Sequence, residues 1–280
     1  MILTHTLGTS LSLGRPGAGL PLWTYVYGGK PKPFFHPLTT PAGHCLTLFE
    51  PSDHVWHRGL WYAIKFVNGQ SFWEENDSPY NTQRTTAPPD VTHDADAVRV
   101  TSTLEWTQAD GTVVIDETRT FTYCPLDQDA YTLDFTFRLT PRVDVTFDRT
   151  AFNGTWGGYG GLTFRGNRNW LSTRLLFDDN TTSDRPTPKV SKWCDLTGLI
   201  DGGPRHHAGI AVFDHPANPR HPTPWYGGTG QGHYFNAAFL FNESLKWEAA
   251  RPLEQEYRVL VHDHAWDADR LNAAWAAWAD

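Results

Sequence analysis

The feature that most limits what this chain can become is a period-two pattern across residues 97–141. In AVRVTSTLEWT (97–107), Val98, Val100, Ser102, Leu104 and Trp106 share one side of an extended strand, and Arg99, Thr101, Thr103, Glu105 and Thr107 share the other. Successive strand side chains point to opposite faces, so the run has a dry side and a wet side. Asp110-Gly111 follows, and TVVIDETRTFTY then begins a second run. An Asp-Gly pair between alternating runs marks a hairpin, because glycine accepts positive φ. YTLDFTFRLTP (131–141) adds a third, with Leu133, Phe135, Phe137 and Leu139 on one face. Three such runs in succession predict an antiparallel meander with one solvated side.

The rest of the chain agrees with an all-β reading. HAGIAVFDHP and EYRVLVHDH read as buried strands, and Thr, Val, Phe and Trp recur in short runs between 24 Gly and 20 Pro. The stretch 151–166, AFNGTWGGYGGLTFRG, holds six glycines. Glycine inside a β region marks bulges, bends or close approach to a ligand. Segments 178–190 and 216–231 are polar or proline-rich and read as loops. Only the tail, DADRLNAAWAAWAD, suggests a helix: Asp267 can cap it, and Leu271, Trp275 and Trp278 form one apolar stripe. No repeat or linker divides the 280 residues. The expected architecture is a single β-sandwich domain, residues 1–280, of two packed sheets with a short C-terminal helix.

Charge and cysteine usage exclude several functions. Net charge is −8, which disfavours phosphate-driven binding of nucleic acid, and no basic run suggests a membrane-surface patch. No uncharged apolar run approaches the roughly 18 residues that span a bilayer. Cys45, Cys124 and Cys194 are odd in number and widely spaced, so neither a disulfide framework nor a CxxC metal site is indicated. The N-terminal residues lack a secretory leader pattern, and a cytoplasmic location is the expectation. No feature sets an oligomeric state.

The chemistry concentrates in PSDHVWHRGLWYAIKFVNGQSFW (51–73), which packs two histidines, an arginine and three tryptophans together. His54 and His57 would lie on one side of a helical turn but on opposite faces of a strand. The preceding Pro51-Ser52-Asp53 favours a turn, where they can converge. A metal would need a further ligand, for which His36, Glu74, Glu75 or His215 are available, but the spacing is not H-E-x-x-H. Imidazoles otherwise suit proton transfer, and Arg58 suits an oxyanion. The plain structural alternative has the histidines bonding loop carbonyls and Arg58 pairing with Asp53.

Indole faces pack on the C–H faces of sugar rings, so Trp56, Trp61, Trp73, Trp193 and Trp225 point towards a carbohydrate. Asp214-His215-Pro216 and Asn218-Pro219-Arg220, after the apolar GIAVF, are a candidate second wall of the pocket, and Asp195 stands in a similar setting. His206-His207 reads as exposed loop. Glu105 and Glu117 lie on adjacent strands and read as a solvated face rather than as paired glycosidase carboxylates. No GxSxG is present.

Five stretches carry a resemblance: HPLTTPAG within KPKPFFHPLTTPAG (30–43), DHVWHRGLW, VNGQSFW, GGYGGLTFR and FDHPANPRHPTPW. Together, in order from about residue 30 to about 262, they resemble the DUF6807 family, often labelled PmoA. The family is similar in size and β content to galactose-mutarotase-like supersandwiches and often accompanies sugar oxidoreductases. The resemblance implies a supersandwich acting in carbohydrate metabolism. It points to His36, His54, His57, Arg58, Trp61, Trp73, Arg165, Asp214, His215, Asn218 and Trp225 as motif residues. Where relatives show His-His-Arg-Gly, this chain has Trp56-His57-Arg58-Gly59.

The resulting expectation is an enzyme, without cofactor, that binds a sugar or keto-sugar glycoside and moves a proton on it. Elimination (a lyase), hydrolysis or epimerisation would result. His54, His57, Arg58 and His215 would carry the chemistry. His36, Trp61, Trp73, Glu74, Arg165, Asp195, Asp214, Asn218 and Trp225 would bind the substrate. The alternatives are a non-catalytic carbohydrate sensor and a metal-dependent enzyme using the histidine cluster.

Overall fold

The computed structural model describes residues 1–75, 78–94, 96–149, 157–185, 188–201, 206–230 and 232–280. The meander is present. Val98–Thr107, Val113–Pro125 and Ala130–Pro141 pair antiparallel in sequence order, and Gly111 takes φ 92° in the first turn. Among the described residues they belong to a ten-stranded sheet. Its order runs from Thr182–Ser183 through Trp170–Phe177, Trp193–Ile200, His206–Asp214 and Leu253–Asp263 to the meander, with Thr82–Thr85 and Asp90–His93 on the last long strand. A nine-stranded sheet runs Ile2–Thr6, Ser10–Gly14, Trp23–Val26, Phe34–Leu38, Leu60–Ile64, Gly160–Arg165, Tyr234–Ala237, Pro224–Gly228, Lys189–Val190. Every pairing in both is antiparallel, and a small sheet of Leu245–Trp247, Val145–Asp148, Phe66–Val67 and Gln70–Ser71 stands apart.

The inner faces of the two large sheets meet in an aromatic core, as the alternation requires. Trp23 and Phe35 meet Phe121 at ring separations of 5.4 and 4.9 Å, and Tyr62 stacks on Phe137 at 4.0 Å. The outer face of the ten-stranded sheet is covered by the helix Ala268–Ala279. The Asp267 carboxylate accepts from Arg270 N at its start, and Leu271, Trp275 and Trp278 pack on Trp193, Phe213 and Leu260. Among the described residues no helix is long and apolar enough to cross a membrane. The three cysteines are free.

Four expectations change. Glu117 is not on a solvated face: it shares the inward side with Ile115 and Phe121, bonds Arg119 at 2.7 Å and accepts from the Trp106 indole at 2.6 Å. The stretch 216–231 is not only loop, because Pro224–Gly228 is a strand of the nine-stranded sheet. Segment 178–190 likewise contributes the short edge strands Thr182–Ser183 and Lys189–Val190. His206 and His207 begin a long strand rather than sitting in a loop. Residues 151–156 of the glycine-rich stretch, and Gly202-Gly203, lie outside the described residues.

Candidate functional site

The outer face of the nine-stranded sheet carries the cleft. Register brings outward residues from four distant segments into rows. Trp61 stands beside Phe34 and Thr163, Thr163 beside Asn236, and Asn236 beside Tyr226. The next outward row sets Arg165 beside Tyr234, and Tyr234 beside Gly228. The cleft above these rows encloses about 860 Å³ and is lined by Asp53, His54, Trp56, His57, Lys65, Trp73, Glu74, Tyr159, Arg165, Tyr226 and Tyr234, among others. That is room for a saccharide.

One wall is the loop before Leu60–Ile64. His54 N donates to the Pro51 carbonyl, His57 N to His54, and Glu50 N to His57, each at 2.9 Å. These turns place the two imidazoles parallel, 4.6 Å apart. Gly59 then swings the chain into the strand at φ 68°, where a Cβ would meet the Phe35 carbonyl oxygen at 2.3 Å. Beneath the imidazoles lies Trp61, 5.0 Å from the His57 ring, and Trp73 lies 5.5 Å from Trp61. Tyr234 stacks on His57 at 5.4 Å, and Tyr159 stacks on Trp73 at 5.5 Å. The opposite wall presents Tyr226, whose ring stands edge-on to that of Tyr159 at 5.6 Å.

Opposite charges neutralise one another in pairs. Lys65 donates to Glu74 at 2.5 Å, and the Ser71 hydroxyl donates to the other Glu74 oxygen. Arg165 donates to Asp53 at 2.5 Å and Arg168 to its second oxygen at 2.8 Å. Burial is the largest single influence on the Asp53 carboxylate and raises it, but the bond and charge of Arg165, with smaller contributions beside them, together outweigh it and hold the group far below the usual carboxylate range. Burial, then the neighbouring His54, Arg165 and Lys32, lower His57 to about 2, so its imidazole is neutral at physiological pH. Burial raises the phenols of Tyr159, Tyr226 and Tyr234, which stay protonated. Arg165 lies flat against Gly232, where a Cβ would come within 2.5 Å of its Nη2.

Of the residues expected from the sequence, His54, His57, Trp73, Glu74 and Arg165 meet in this cleft. Arg58 does not line it. It is buried below, forked onto Glu75, which also takes Lys32 at 2.5 Å, and its partner is thus not Asp53. Trp61 is floor rather than exposed platform. His36 shares the outer face but bonds Thr47 and stacks on Phe49, outside the cleft.

The second polar cluster lies elsewhere, beside the C-terminal helix. Asp214 accepts from Asn218 at 2.8 Å and Thr223 N at 3.1 Å, and faces His221 at 2.8 Å. His215 packs edge-on to Trp278 at 5.1 Å. Asp195 is wholly buried against His262 and Thr197, and Trp225 is core, donating to the Ser191 carbonyl. These five side chains reinforce the sandwich, and the expected second wall is made by other residues. Among the described residues, no three His, Cys, Asp or Glu side chains are grouped to hold a metal.

The tyrosines and Lys65 were missed by sequence reasoning. Tyr159, Tyr226 and Tyr234 each stand within or beside glycines, in GGYGG, WYGG and GQGHY. Lone aromatics in glycine-rich β segments were the available signal, since neighbouring glycines leave one ring bare. Residues 17–276 match a family of unknown function, DUF6807. No curated protein matches the chain.

Proposed function

The chain belongs to the DUF6807 family, and from that premise we propose that its cleft binds a sugar or an oxidised sugar derivative and transfers a proton on it. The observation that supports this reading is the cleft's composition: partly exposed rings of Trp56, Tyr159, Tyr226 and Tyr234 around a group of imidazole, carboxylate and guanidinium side chains. Ring faces accept the C–H faces of a sugar, and the polar rim accepts its hydroxyls.

Roles follow from environment. His54 is the proton carrier: its side chain is 44% exposed, and its Nδ1 lies 3.3 Å from the Asp53 carboxylate, whose charge would favour the protonated ring. His57, held neutral, orients the ligand by hydrogen bonding rather than as a cation. Arg165 and the protonated phenols stabilise negative charge that develops on oxygen. A carbonyl on the sugar would acidify the neighbouring C–H, which brings its removal within reach of one imidazole. Elimination and epimerisation both begin from that step, and addition of water to the elimination product gives net hydrolysis.

The test is incubation of the protein with glycosides and 3-keto-glycosides in D₂O, following deuterium entry and product formation by NMR. His54→Ala is expected to lower turnover about 10²–10⁴-fold, the usual worth of a general acid–base group. Equal turnover in both proteins would remove His54 from the mechanism. A second reading, binding without chemistry, is favoured by the engagement of both Glu74 and Asp53 with cations. Saturable binding with no turnover of any substrate would select it.

A further inference from the structure

Three side chains that line the cleft keep a buried polar atom with no hydrogen-bond partner among the described residues: His54 Nδ1, which donates or accepts according to its tautomer, and two donors, the Tyr234 hydroxyl and Arg165 Nε, which form a pair. They are register partners on adjacent strands, both facing outward. Neither is free to search for another partner. The Tyr234 ring is clamped face-on against His57, and the guanidinium is fixed by Asp53 on one side and by the Gly232 backbone on the other. An unmade bond at a buried donor is costly, and folded chains rarely keep two side by side without use.

The chemistry of the missing acceptor is narrow. Arginine can only donate, and the Tyr234 phenol stays protonated because burial opposes its ionisation. Each cation that lines the cleft already faces a carboxylate, Arg165 at Asp53, Lys65 at Glu74 and Arg185 at Asp184, so a ligand carboxylate would have to compete with one already in place. An alcohol oxygen would bring a proton that itself needs an acceptor; the nearby Asp53 carboxylate is taken by Arg165 and Arg168, which leaves that proton to the imidazoles, whereas a carbonyl oxygen needs the two donors alone.

Resting on the sugar-binding reading above, we propose that the Tyr234 hydroxyl and Arg165 Nε receive one uncharged carbonyl oxygen, making the ligand a sugar ketone or lactone rather than a sugar acid or the parent alcohol. Tyr234 is then the residue that decides between a carbonyl and a hydroxyl at that position. His57, stacked on Tyr234 and 3.5 Å from Arg165 Nη1, closes the same corner.

Calorimetric titration of the whole chain with methyl 3-keto-glucoside, glucono-1,5-lactone, methyl glucoside and sodium gluconate tests this. The wild type should bind at least one carbonyl compound about tenfold or more tighter than both methyl glucoside and gluconate. Tyr234→Phe should erase that preference. Because the hydroxyl has no partner among the described residues, the same variant should keep its Tm within about 1 °C or raise it. Equal affinity of the wild type for methyl glucoside and the carbonyl compounds would overturn the carbonyl assignment and leave the sugar reading standing. Binding of none of the four would remove both. A Tm loss of more than about 3 °C in Tyr234→Phe would show the hydroxyl to be a structural group and would also overturn the assignment.

Discussion

His57 shows how one position can be both chemically capable and chemically muted. The fold buries it among indole and phenol rings beside His54, Arg165 and Lys32, and burial first, then those neighbours, disfavour the imidazolium against the opposing pull of Asp53. The thermodynamic consequence has a definite sign. Its folded pKa, about 2, lies below the ordinary value of 6.5, so between those limits the unfolded chain binds more protons than the folded one. Stability is therefore full above pH 6.5 and falls as the pH drops below it. His36 and His233, also lowered by burial, act in the same direction. Asp53 and Glu75, held low by their cationic partners against burial, lose stability only below the carboxylate range. Denaturant unfolding at pH 7.5 and pH 5.0 separates these groups. Relative to His57→Gln, the wild type should lose about 2 kcal/mol more over that interval, at up to 1.4 kcal/mol per pH unit below 6.5. An equal loss in both proteins would mean that His57 is not held neutral.

At the scale of elements, the C-terminal helix has one role that is open to measurement: it covers the outer face of the ten-stranded sheet. Asp267 satisfies the Arg270 N–H at its first turn, so Asp267→Ala should cost about 1 kcal/mol and lower Tm by roughly 2–4 °C. Thermal unfolding followed by Trp fluorescence reads this, and an unchanged Tm would mean the cap is frayed. The helix, the meander and the hairpin at Asp110-Gly111 were legible because each is written in local sequence: an apolar stripe, an alternation, a turn pair. Half of the cleft was legible for the same reason, since His54, His57, Trp73 and Glu74 come from one run of chain. Its other half depends on register between strands some 100 and 170 residues further along, which alternation within one strand does not fix. Asp214, His215 and Asn218 misled because a strand end entering a proline-rich loop resembles a pocket wall, while their strand belongs to the other sheet. Trp225 misled because the strand that holds it read as loop, and its odd phase turns the indole inward.

For the molecule as a whole, the two sheets are joined by more than apolar packing. The inward face of Val113–Pro125 reads Ile115, Glu117, Arg119, Phe121, Tyr123, two charges within an apolar column. Charge alone would send Glu117 to solvent; strand phase sends it inside, and phase prevails because its neighbours Ile115 and Phe121 are core. Once inside, it is held by Arg119 and by the Trp106 indole, while Arg119 also reaches Gln83 and lies 5.8 Å from the ring of Tyr62 in the opposite sheet. Tyr62 continues the connection by donating to Gln255 at 2.6 Å. A buried pair of this kind contributes little net stability, because desolvation offsets attraction, but losing one partner strands the other. Arg119→Met alone should therefore cost about 3–5 kcal/mol by leaving a carboxylate in the core, and Arg119→Met with Glu117→Gln should recover most of that loss. Denaturant unfolding of the two single variants and the double variant measures the coupling. Because Tyr62 and Trp61 are neighbours on one strand with opposite faces, a shift of this pair moves the floor of the cleft as well as the core. The single variant should lose ligand affinity together with stability, and the double should regain both. Additive costs in the cycle would show that Glu117 and Arg119 are not coupled, and unchanged affinity in the single variant would show the cleft floor to be independent of them.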